Sequence, residues 1–399
     1  MPRKSINTWY SAEQLNTVAS ARRAGETREL VGVIAPNYGL EHLTYLLNLP
    51  DYAHVKLRRI PFHRLERGGT FFDINAVLIR TGLRLVHTFN HLPVNGGPFV
   101  NSFESELPFY LGPHREWQHR IGHRLLASDR CKALLSISEI AARNARAKFT
   151  DLGLPEVVDK MEVFRGAVRL STETEERRYS EPNEPLRVLL VGLSGFHKGV
   201  VPLLDAVEQL RRDGAEIELT VIATLPPTAY VLDGVELPVE ETARRLEDSP
   251  WITWHQAMPN AEVRAAMFRH DLLALPSLDE SLGWVVVEAA MEGTAAISSN
   301  VFALPELVED GVSGRLMRLP LREDGRWSGL GTRDRETAWA EARSIFQSGL
   351  VDAIGAAAAD RDLPRRWGEA ARARAMRTYH PDVAAAALGA IYDRALAVS

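Results

Sequence analysis

The sequence contains a single cysteine, Cys131, so no intramolecular disulfide can stabilise the chain. Cys131 begins the apolar segment CKALLSIS, which is typical of a buried strand in a protein from a reducing compartment. No uninterrupted apolar run approaches the ~20 residues that a membrane-spanning helix requires. The N-terminal MPRKSINTWYSAEQL is basic but has no apolar stretch behind it, so it does not predict a signal peptide. Together these absences predict a cytoplasmic protein.

A strong charge of either sign is also missing. The formal net charge of -5 at pH 7 argues against a general nucleic-acid-binding protein. The charges are distributed unevenly, however: residues 1–180 carry +6 and the remainder −11, which together give -5. The densest basic segment is KLRRIPFHRLERGG (56–69). This asymmetry is compatible with compositional drift between two domains, or with a first half that binds an anionic partner such as a membrane surface.

The length of 399 residues predicts two domains, because it exceeds what a single hydrophobic core usually supports. The segment STETEERRYSEPNEPL (171–186) is polar, charged and carries two prolines, which is typical of a linker. The predicted domains are therefore residues 1–170 and residues 187–379.

Both halves alternate short apolar segments with helix-like stretches, a pattern that predicts parallel sheets covered on both faces. We therefore expect an α/β protein with two Rossmann-like domains. The strands predicted in the first half are 29–36, 54–60, 83–89, 98–103, 132–138 and 160–166. In the second half, the main predicted strands are LRVLLVGL, IELTVIATL, WITWHQAM, DLLALPS and AAISSN.

Ligands of such sheets bind where strands end and helices begin, so the turns between them are the places to search. In LLVGLSGFHKGVVPLL (189–204), a buried strand runs into a turn with Gly192, Gly195 and Gly199, and then into a helix. Glycines let a phosphate approach the backbone, the helix start carries a partial positive charge, and Lys198 adds a cation. The spacing matches neither the dinucleotide fingerprint, nor a Walker loop, nor a nucleophile elbow. A plain structural turn with a solvated lysine stays an alternative.

The second turn lies in LPSLDESLGWVVVEAAMEGTAAISS (275–299). Glu280 follows a buried strand, and Glu288 lies eight residues later inside an apolar helix. Carboxylates near a helix start suit hydroxyl-rich ligands, and the backbone amides near Leu282 and Gly283 suit a phosphate. The alternative is that Glu288 reaches solvent on the outer face of its helix.

A metal site is the rival interpretation of HREWQHRIGH, in which His119 and His123 are spaced i, i+4 on a predicted helix and His114 precedes them. The metalloprotease pattern requires glutamate after the first of the paired histidines, and Arg120 occupies that position. No Asp-x-Asp motif is present either. We therefore expect no metal site.

The second turn resembles the donor-site signature of the retaining glycosyltransferases of family 4, in which a Pro-Ser strand end precedes two glutamates eight residues apart. The first turn is similar to the phosphate turn of the same family, with Lys198 at the lysine position. The resemblance covers most of residues 83–317. The matching positions are Pro276, Ser277, Glu280, Glu288, Ala289, Gly293, Ser299, Asn300, Leu304, Pro305, Glu306, Gly311 and Gly314.

The resemblance implies a role for each matching residue. Glu280 would bind the hydroxyls of the donor sugar near the reacting carbon, and Glu288 would bind the ribose hydroxyls. Lys198 would neutralise the diphosphate, assisted by the amides near Leu282 and Gly283. Glu280 and Lys198 are thus the expected catalytic residues, and Gly192 belongs to the donor-binding turn.

The chain departs from the family pattern at three places. Leu193 stands where the family usually has an arginine, which implies either weaker neutralisation of the phosphate or compensation by another residue such as Arg165 or Arg169. The Gly-Gly loop near the first strand has only Gly39 as a substitute. The segment NSFESELP offers Glu104 and Glu106 where a histidine is frequent.

The family implies the GT-B arrangement, two Rossmann-like domains facing across a cleft, with a C-terminal helix (about 380–399) returning to the first domain. The implied reaction is the retaining transfer of a sugar from a nucleoside-diphosphate sugar to a glycan, lipid or small-molecule acceptor. No cofactor and no protein nucleophile are implied. Two alternatives remain: a non-catalytic module that binds sugar nucleotides, and a GT-B epimerase or phosphorylase. A cytoplasmic protein with peripheral contact to an anionic inner membrane face would suit the basic first half.

Overall fold

The chain forms two α/β units. The computed structural model describes residues 16–34, 44, 46–57, 76–77, 82–109, 116–171, 176–177 and 179–397. The first unit contains the described residues from 16 to 168 and those from 378 to 397, and the second contains Arg169–Arg377. None of the described helices has the length and apolar character needed to cross a bilayer.

The first unit is built on a parallel six-stranded sheet in the order β2-β1-β4-β6-β7-β8. Its residues are apolar along most of each strand, as expected for strands covered on both faces. The helix Glu139–Asp151 begins after Ser138, because the Ser138 hydroxyl accepts a hydrogen bond from the amide of Ala141 at 3.3 Å. Its strands are β1 Glu29–Ile34, β2 Tyr52–Leu57, β3 Ala76–Val77, β4 Leu85–Phe89, β5 Leu92–Pro93, β6 Phe99–Phe103, β7 Cys131–Ser136 and β8 Met161–Val163, and β3 pairs with β5. Its helices are α1 Val18–Arg23, α2 Glu116–Ala127, α3 Glu139–Asp151, α4 Pro155–Val158 and α12 Pro381–Ala397.

The C-terminal helix α12 completes the core of the first unit. Its Tyr392 is fully buried, and the Tyr392 hydroxyl lies 2.7 Å from both Nε2 of His54 and Nδ1 of His87. The hydroxyl of Tyr52 donates a hydrogen bond to Asp393 at 2.5 Å. These polar contacts fix the helix to strands β2 and β4, while its apolar face packs into the same core.

The second unit also contains a parallel six-stranded sheet, in the order β11-β10-β9-β12-β13-β14. The expected pair of Rossmann-like sheets is thereby confirmed. The strands are β9 Leu186–Ser194, β10 Ile217–Thr224, β11 Ile252–His255, β12 Leu272–Leu275, β13 Ala295–Ser299 and β14 Gly314–Met317. The helices are α5 Val200–Arg212, α6 Val239–Asp248, α7 Asn260–Arg269, α8 Trp284–Met291, α9 Leu304–Leu307, α10 Arg335–Ala359 and α11 Leu363–Tyr379, with a short 3-10 helix at Tyr230–Leu232.

The described part of the predicted linker is anchored to the second unit. The guanidinium of Arg177 donates to the carbonyls of Phe268 and His270, each at 2.5 Å, at the C-terminal end of α7. Arg177 also lies 4.4 Å from the centre of the Tyr179 ring, and the Tyr179 hydroxyl donates to the carbonyl of Gly293 at 2.8 Å. The polar composition of this segment therefore reflects docking onto helix ends, which composition alone does not distinguish from a solvated linker.

Candidate donor site in the second unit

The site expected from the sequence lies at the switch point of the second sheet. Strand β9 pairs with β10 on one side and with β12 on the other. From β9 the chain first adds β10 and β11 on one side and then crosses to add β12 on the other side. Ligands of such sheets bind outside the carboxyl ends of the strands at the point where the strand order reverses. The turns after β9 and β12 are the two turns that carry Lys198 and Glu280.

The turn after β9 is shaped by glycines. Gly199 begins α5 with a φ of 77°, in the left-handed region, and no side chain caps this helix. A Cβ on Gly199 would lie 2.4 Å from the carbonyl oxygen of Pro276, so only glycine allows this turn to approach the end of β12. Gly192 lies beneath the side chain of Lys198. Gly199 is therefore needed to bring the two turns together, whereas Gly192 leaves space for Lys198.

The turn after β12 ends in the same way. Gly283 begins α8 with a φ of 93°, again with no capping side chain, and Leu282 before it is fully buried. The amide of Leu278 donates to the carbonyl of His197 at 3.2 Å, which joins this turn to the first. Two helix starts without side-chain caps thus follow neighbouring strands, and each carries a partial positive charge suited to an anion.

Lys198 and Glu280 meet between the turns. Nζ of Lys198 lies 2.5 Å from Oε1 of Glu280 and 3.5 Å from the hydroxyl of Ser277. Both charged side chains are mostly buried, with exposed fractions of 16% and 11%. A cation and a carboxylate therefore lie beside the N-termini of α5 and α8. In this position Lys198 could bind a phosphate and Glu280 could accept a hydrogen bond from a sugar hydroxyl.

Glu288 lies inside α8 and is 7% exposed, so it does not reach solvent as the alternative interpretation supposed. The amide of Asn260 lies 3.4 Å from Oε1 of Glu288. Burial raises the pKa of this carboxyl, and the nearby Arg264 guanidinium opposes that shift. A buried carboxylate with one long hydrogen bond has acceptor capacity left for ligand hydroxyls.

Several residues of this site were not predicted from the sequence. Both carboxylate oxygens of Asp279 are hydrogen-bonded, one to Arg326 and one to Tyr230. Glu292 is 2% exposed and forms an ion pair with Arg264. The position of Asp279 directly before Glu280 was a signal that could have identified Asp279 as a site residue. Arg326 lies in a segment without periodicity, so the sequence contained no signal for it.

Leu193, at the usual arginine position, is 69% exposed at the end of β9. Of the two arginines expected to compensate, Arg165 forms an ion pair with Glu139 at 2.9 Å within the first unit. The carbonyl of Arg169 accepts a hydrogen bond from Arg264 at 3.0 Å. Compensation by either arginine therefore stays a prediction.

The remaining candidates belong to the first unit. Glu104 accepts a hydrogen bond from the amide of Asn90 at 3.0 Å, across the ends of β4 and β6. The rings of His119 and His123 lie 5.9 Å apart on α2, and the described residues include no group of three or more potential metal ligands. Gly39, His114 and the basic segment beyond Leu57 lie outside the described residues.

The segment that contains the site is similar to a known protein family. The model of the family described as Glycosyl transferases group 1 matches residues 171–321. Residues 171–321 belong to the glycosyl transferases of group 1. This segment includes both turns, the glutamate pair and Lys198.

Two curated relatives align with this chain. Alpha-maltose-1-phosphate synthase of Mycobacterium tuberculosis is 29% identical over 199 residues, which cover 50% of this chain and 45% of that protein. D-inositol 3-phosphate glycosyltransferase of Corynebacterium kroppenstedtii is 30% identical over 149 residues, which cover 37% of this chain and 32% of that protein. The chain thus spans less than half the length of these relatives.

Solved structures show the fold over nearly the whole chain. HepE of Anabaena, in complex with UDP and glucose, superimposes with a TM-score of 0.58 at 14% identity, covering 92% of this chain and 99% of that one. This likeness, together with the two parallel six-stranded sheets, shows a GT-B fold.

Proposed function

We propose that this protein is a retaining glycosyltransferase that transfers a sugar from a nucleoside-diphosphate sugar to an acceptor hydroxyl. The observation that carries the proposal is the contact between Lys198 and Glu280, at 2.5 Å, between two helices that begin at Gly199 and Gly283 without side-chain caps. A cation and two helix starts suit a diphosphate, and a carboxylate beside them suits the sugar attached to it.

In the proposed reaction, the bond between the anomeric carbon and the diphosphate oxygen breaks through a cation-like transition state. Negative charge grows on the leaving phosphate, where Lys198 and the amides that begin α5 and α8 stabilise it. The acceptor hydroxyl attacks from the face that the phosphate leaves and gives its proton to that phosphate, so the configuration is retained. No protein nucleophile and no metal ion take part in these steps.

The donor is proposed to be a UDP-sugar, because HepE, with the same fold, is described in complex with UDP and glucose. Glu288 accepts hydrogen bonds from the ribose hydroxyls, and Glu280 accepts them from the sugar. The raised pKa of Glu288 fits a carboxylate whose burial is compensated only when hydroxyl donors arrive.

The acceptor is proposed to be anionic. Both curated relatives are named after a phosphorylated sugar or polyol, and residues 1–180 carry a formal net charge of +6. A lipid-linked acceptor at an anionic membrane face is compatible with the same charge, since each basic residue near such a surface contributes about 1 kcal/mol. Co-sedimentation with anionic and neutral vesicles across a salt series distinguishes a soluble acceptor from a lipid-linked one. Transfer to a soluble sugar phosphate, without binding to vesicles, excludes the lipid-linked acceptor.

The decisive experiment is a turnover screen with labelled nucleotide sugars and phosphorylated or neutral acceptors, run with and without EDTA. Transfer with retained anomeric configuration, unaffected by EDTA, supports the proposal. Tight binding of the nucleotide sugar without turnover would indicate the non-catalytic module instead, and formation of an isomer or a sugar phosphate would indicate an epimerase or a phosphorylase.

A further inference from the structure

Asp279 joins four separate parts of the second unit. Its Oδ1 accepts a hydrogen bond from Arg326 at 2.8 Å, and its Oδ2 accepts one from the Tyr230 hydroxyl at 2.5 Å. Its backbone carbonyl lies 2.7 Å from Nε2 of His197 and 2.9 Å from the hydroxyl of Ser277. The side chain of Asp279 is 9% exposed, so these contacts form in a mostly desolvated environment where hydrogen-bond geometry is strongly restrained.

The contacts of Asp279 lead directly to the proposed catalytic pair. Glu280 is the next residue along the chain, and His197 precedes Lys198. The Ser277 hydroxyl that donates to the carbonyl of Asp279 lies 3.5 Å from Nζ of Lys198. A displacement of Asp279 therefore changes the position of Glu280 through the peptide bond and of Lys198 through its neighbours.

Arg326 and its neighbours have further contacts within the second unit. It comes from a hairpin after β14 in which Leu321 pairs with Trp327, and Trp327 is 1% exposed. The guanidinium lies 4.9 Å from the centre of the Phe302 ring, and the amide of Phe302 donates to the carbonyl of Gly325 at 2.7 Å. The hairpin is thus anchored to the unit by contacts that do not involve Asp279.

Phe302 also has a φ of 44°, a left-handed conformation that is rare for a bulky residue. Such backbone persists only where the surroundings over-determine it, and it is frequent near functional sites. The ion pair between Asp279 and Arg326 is partly buried, with exposed fractions of 9% and 27%, so desolvation offsets part of the attraction. Its effect is instead geometric, since it selects one position of the turn.

We propose that Asp279 is a positioning residue, which Arg326 and Tyr230 hold so that Glu280 meets Lys198 in the arrangement that transfer requires. This inference rests on the proposed function for the meaning of that arrangement. It assigns a function to the segment 318–328, which has no recognisable pattern in the sequence.

The test compares Arg326→Ala, Arg326→Lys and Asp279→Asn in the full chain. Arg245→Ala is the matched control, because Arg245 pairs with Asp205 at 3.0 Å with similar burial on α5 and α6, away from the site. Two quantities are measured: kcat and KM with the nucleotide sugar found in the screen, and the rate at which acetic anhydride modifies Lys198, followed by mass spectrometry.

We expect Arg326→Ala and Asp279→Asn to lower kcat about 10- to 100-fold, as displaced catalytic groups do, with a smaller change in KM. Both variants should expose Lys198 and speed its acetylation, Arg326→Lys should recover part of the loss, and Arg245→Ala should match the wild type in both measurements. A merely structural role would leave kcat and Lys198 reactivity at wild-type values in the folded variants, and that result would overturn the inference.

The two measurements also separate this inference from the proposed function. If the wild type turns over none of the nucleotide sugars, the proposed function fails, but the acetylation rate still reports whether Asp279 and Arg326 position Lys198. Unchanged acetylation in both folded variants rejects the positioning role whatever the reaction is.

Discussion

The side chain of Lys198 lies directly against the backbone of Gly192: a Cβ at position 192 would lie 2.4 Å from Cγ of the lysine. This glycine is not in the left-handed region, so its role is to leave space. The path of the lysine from the backbone to Glu280 therefore depends on a residue that has no side chain.

We expect Gly192→Ala to displace Lys198 and to lower turnover about 10- to 100-fold, since misplacing a catalytic group by about 1 Å has an effect of this size. Steady-state kinetics on the purified variant measure it. Gly389→Ala in α12 is the control, because a Cβ there meets nothing within 4 Å. Wild-type kinetics for Gly192→Ala would show that the lysine can take another path.

Removal of the cation tests its role in the reaction directly. Lys198→Ala should lower transfer by about two orders of magnitude, the usual loss when one preorganised stabilising group is removed. Circular dichroism should show an unchanged fold, and Lys198→Arg should keep part of the activity because it keeps the charge. A folded Lys198→Ala variant with normal turnover would exclude the lysine from the reaction.

The two glutamates should have separable effects. Glu288→Ala is expected mainly to weaken binding of UDP, since Glu288 is proposed to bind the ribose, whereas Glu280→Ala should mainly lower kcat. Calorimetry with UDP and kinetics with the sugar nucleotide measure the two effects. Equal loss of UDP affinity in both variants would contradict this division.

Glu288 should also reduce the stability of the unliganded protein at neutral pH. Its pKa is raised in the folded state, so its contribution to stability is fully present below the unfolded value of about 4.5 and is lost as the pH rises through the folded value. Glu288→Gln should therefore raise the melting temperature at pH 7 and weaken UDP binding. A lower melting temperature at pH 7 would mean that the ionised carboxylate stabilises the fold.

His87 should give the opposite dependence on pH. Complete burial, and to a lesser extent the nearby His54, lower its pKa to about 3. The folded state therefore resists protonation, and stability that is present above the unfolded value of about 6.5 is lost as the pH falls toward 3. Urea unfolding across this range should show a shallower dependence for His87→Gln than for the wild type. His255→Gln, in β11, is the control, and identical slopes for the wild type and His87→Gln would contradict the assignment.

The sheets and turns could be predicted because their signals are local. Strands such as Leu272–Leu275 are apolar along their whole length, and Gly199 and Gly283 mark the helix starts. The resemblance to the family 4 enzymes predicted that Lys198 and Glu280 belong to one donor site, each in the turn after a predicted strand.

The other contacts could not be predicted, because they depend on the path of the whole chain. Arg326 and Tyr230 reach Asp279 from segments that follow different strands, and no spacing in the sequence connects them. The burial of Glu292 with Arg264 was missed for a related reason: a charged residue near a helix end is usually solvated, and its partner lies on another helix.

The return of α12 to the first unit has a consequence for synthesis on the ribosome. Strands β1 to β8 emerge first, but Tyr392, which occupies the centre of their core, is made only after the whole second unit. The second unit has all its strands once residue 317 has emerged, so it is the later-made half that can reach its native state first. Until α12 has been made, the apolar surface that receives it is uncovered on the nascent first unit. This is the period in which a chaperone would have to protect that surface.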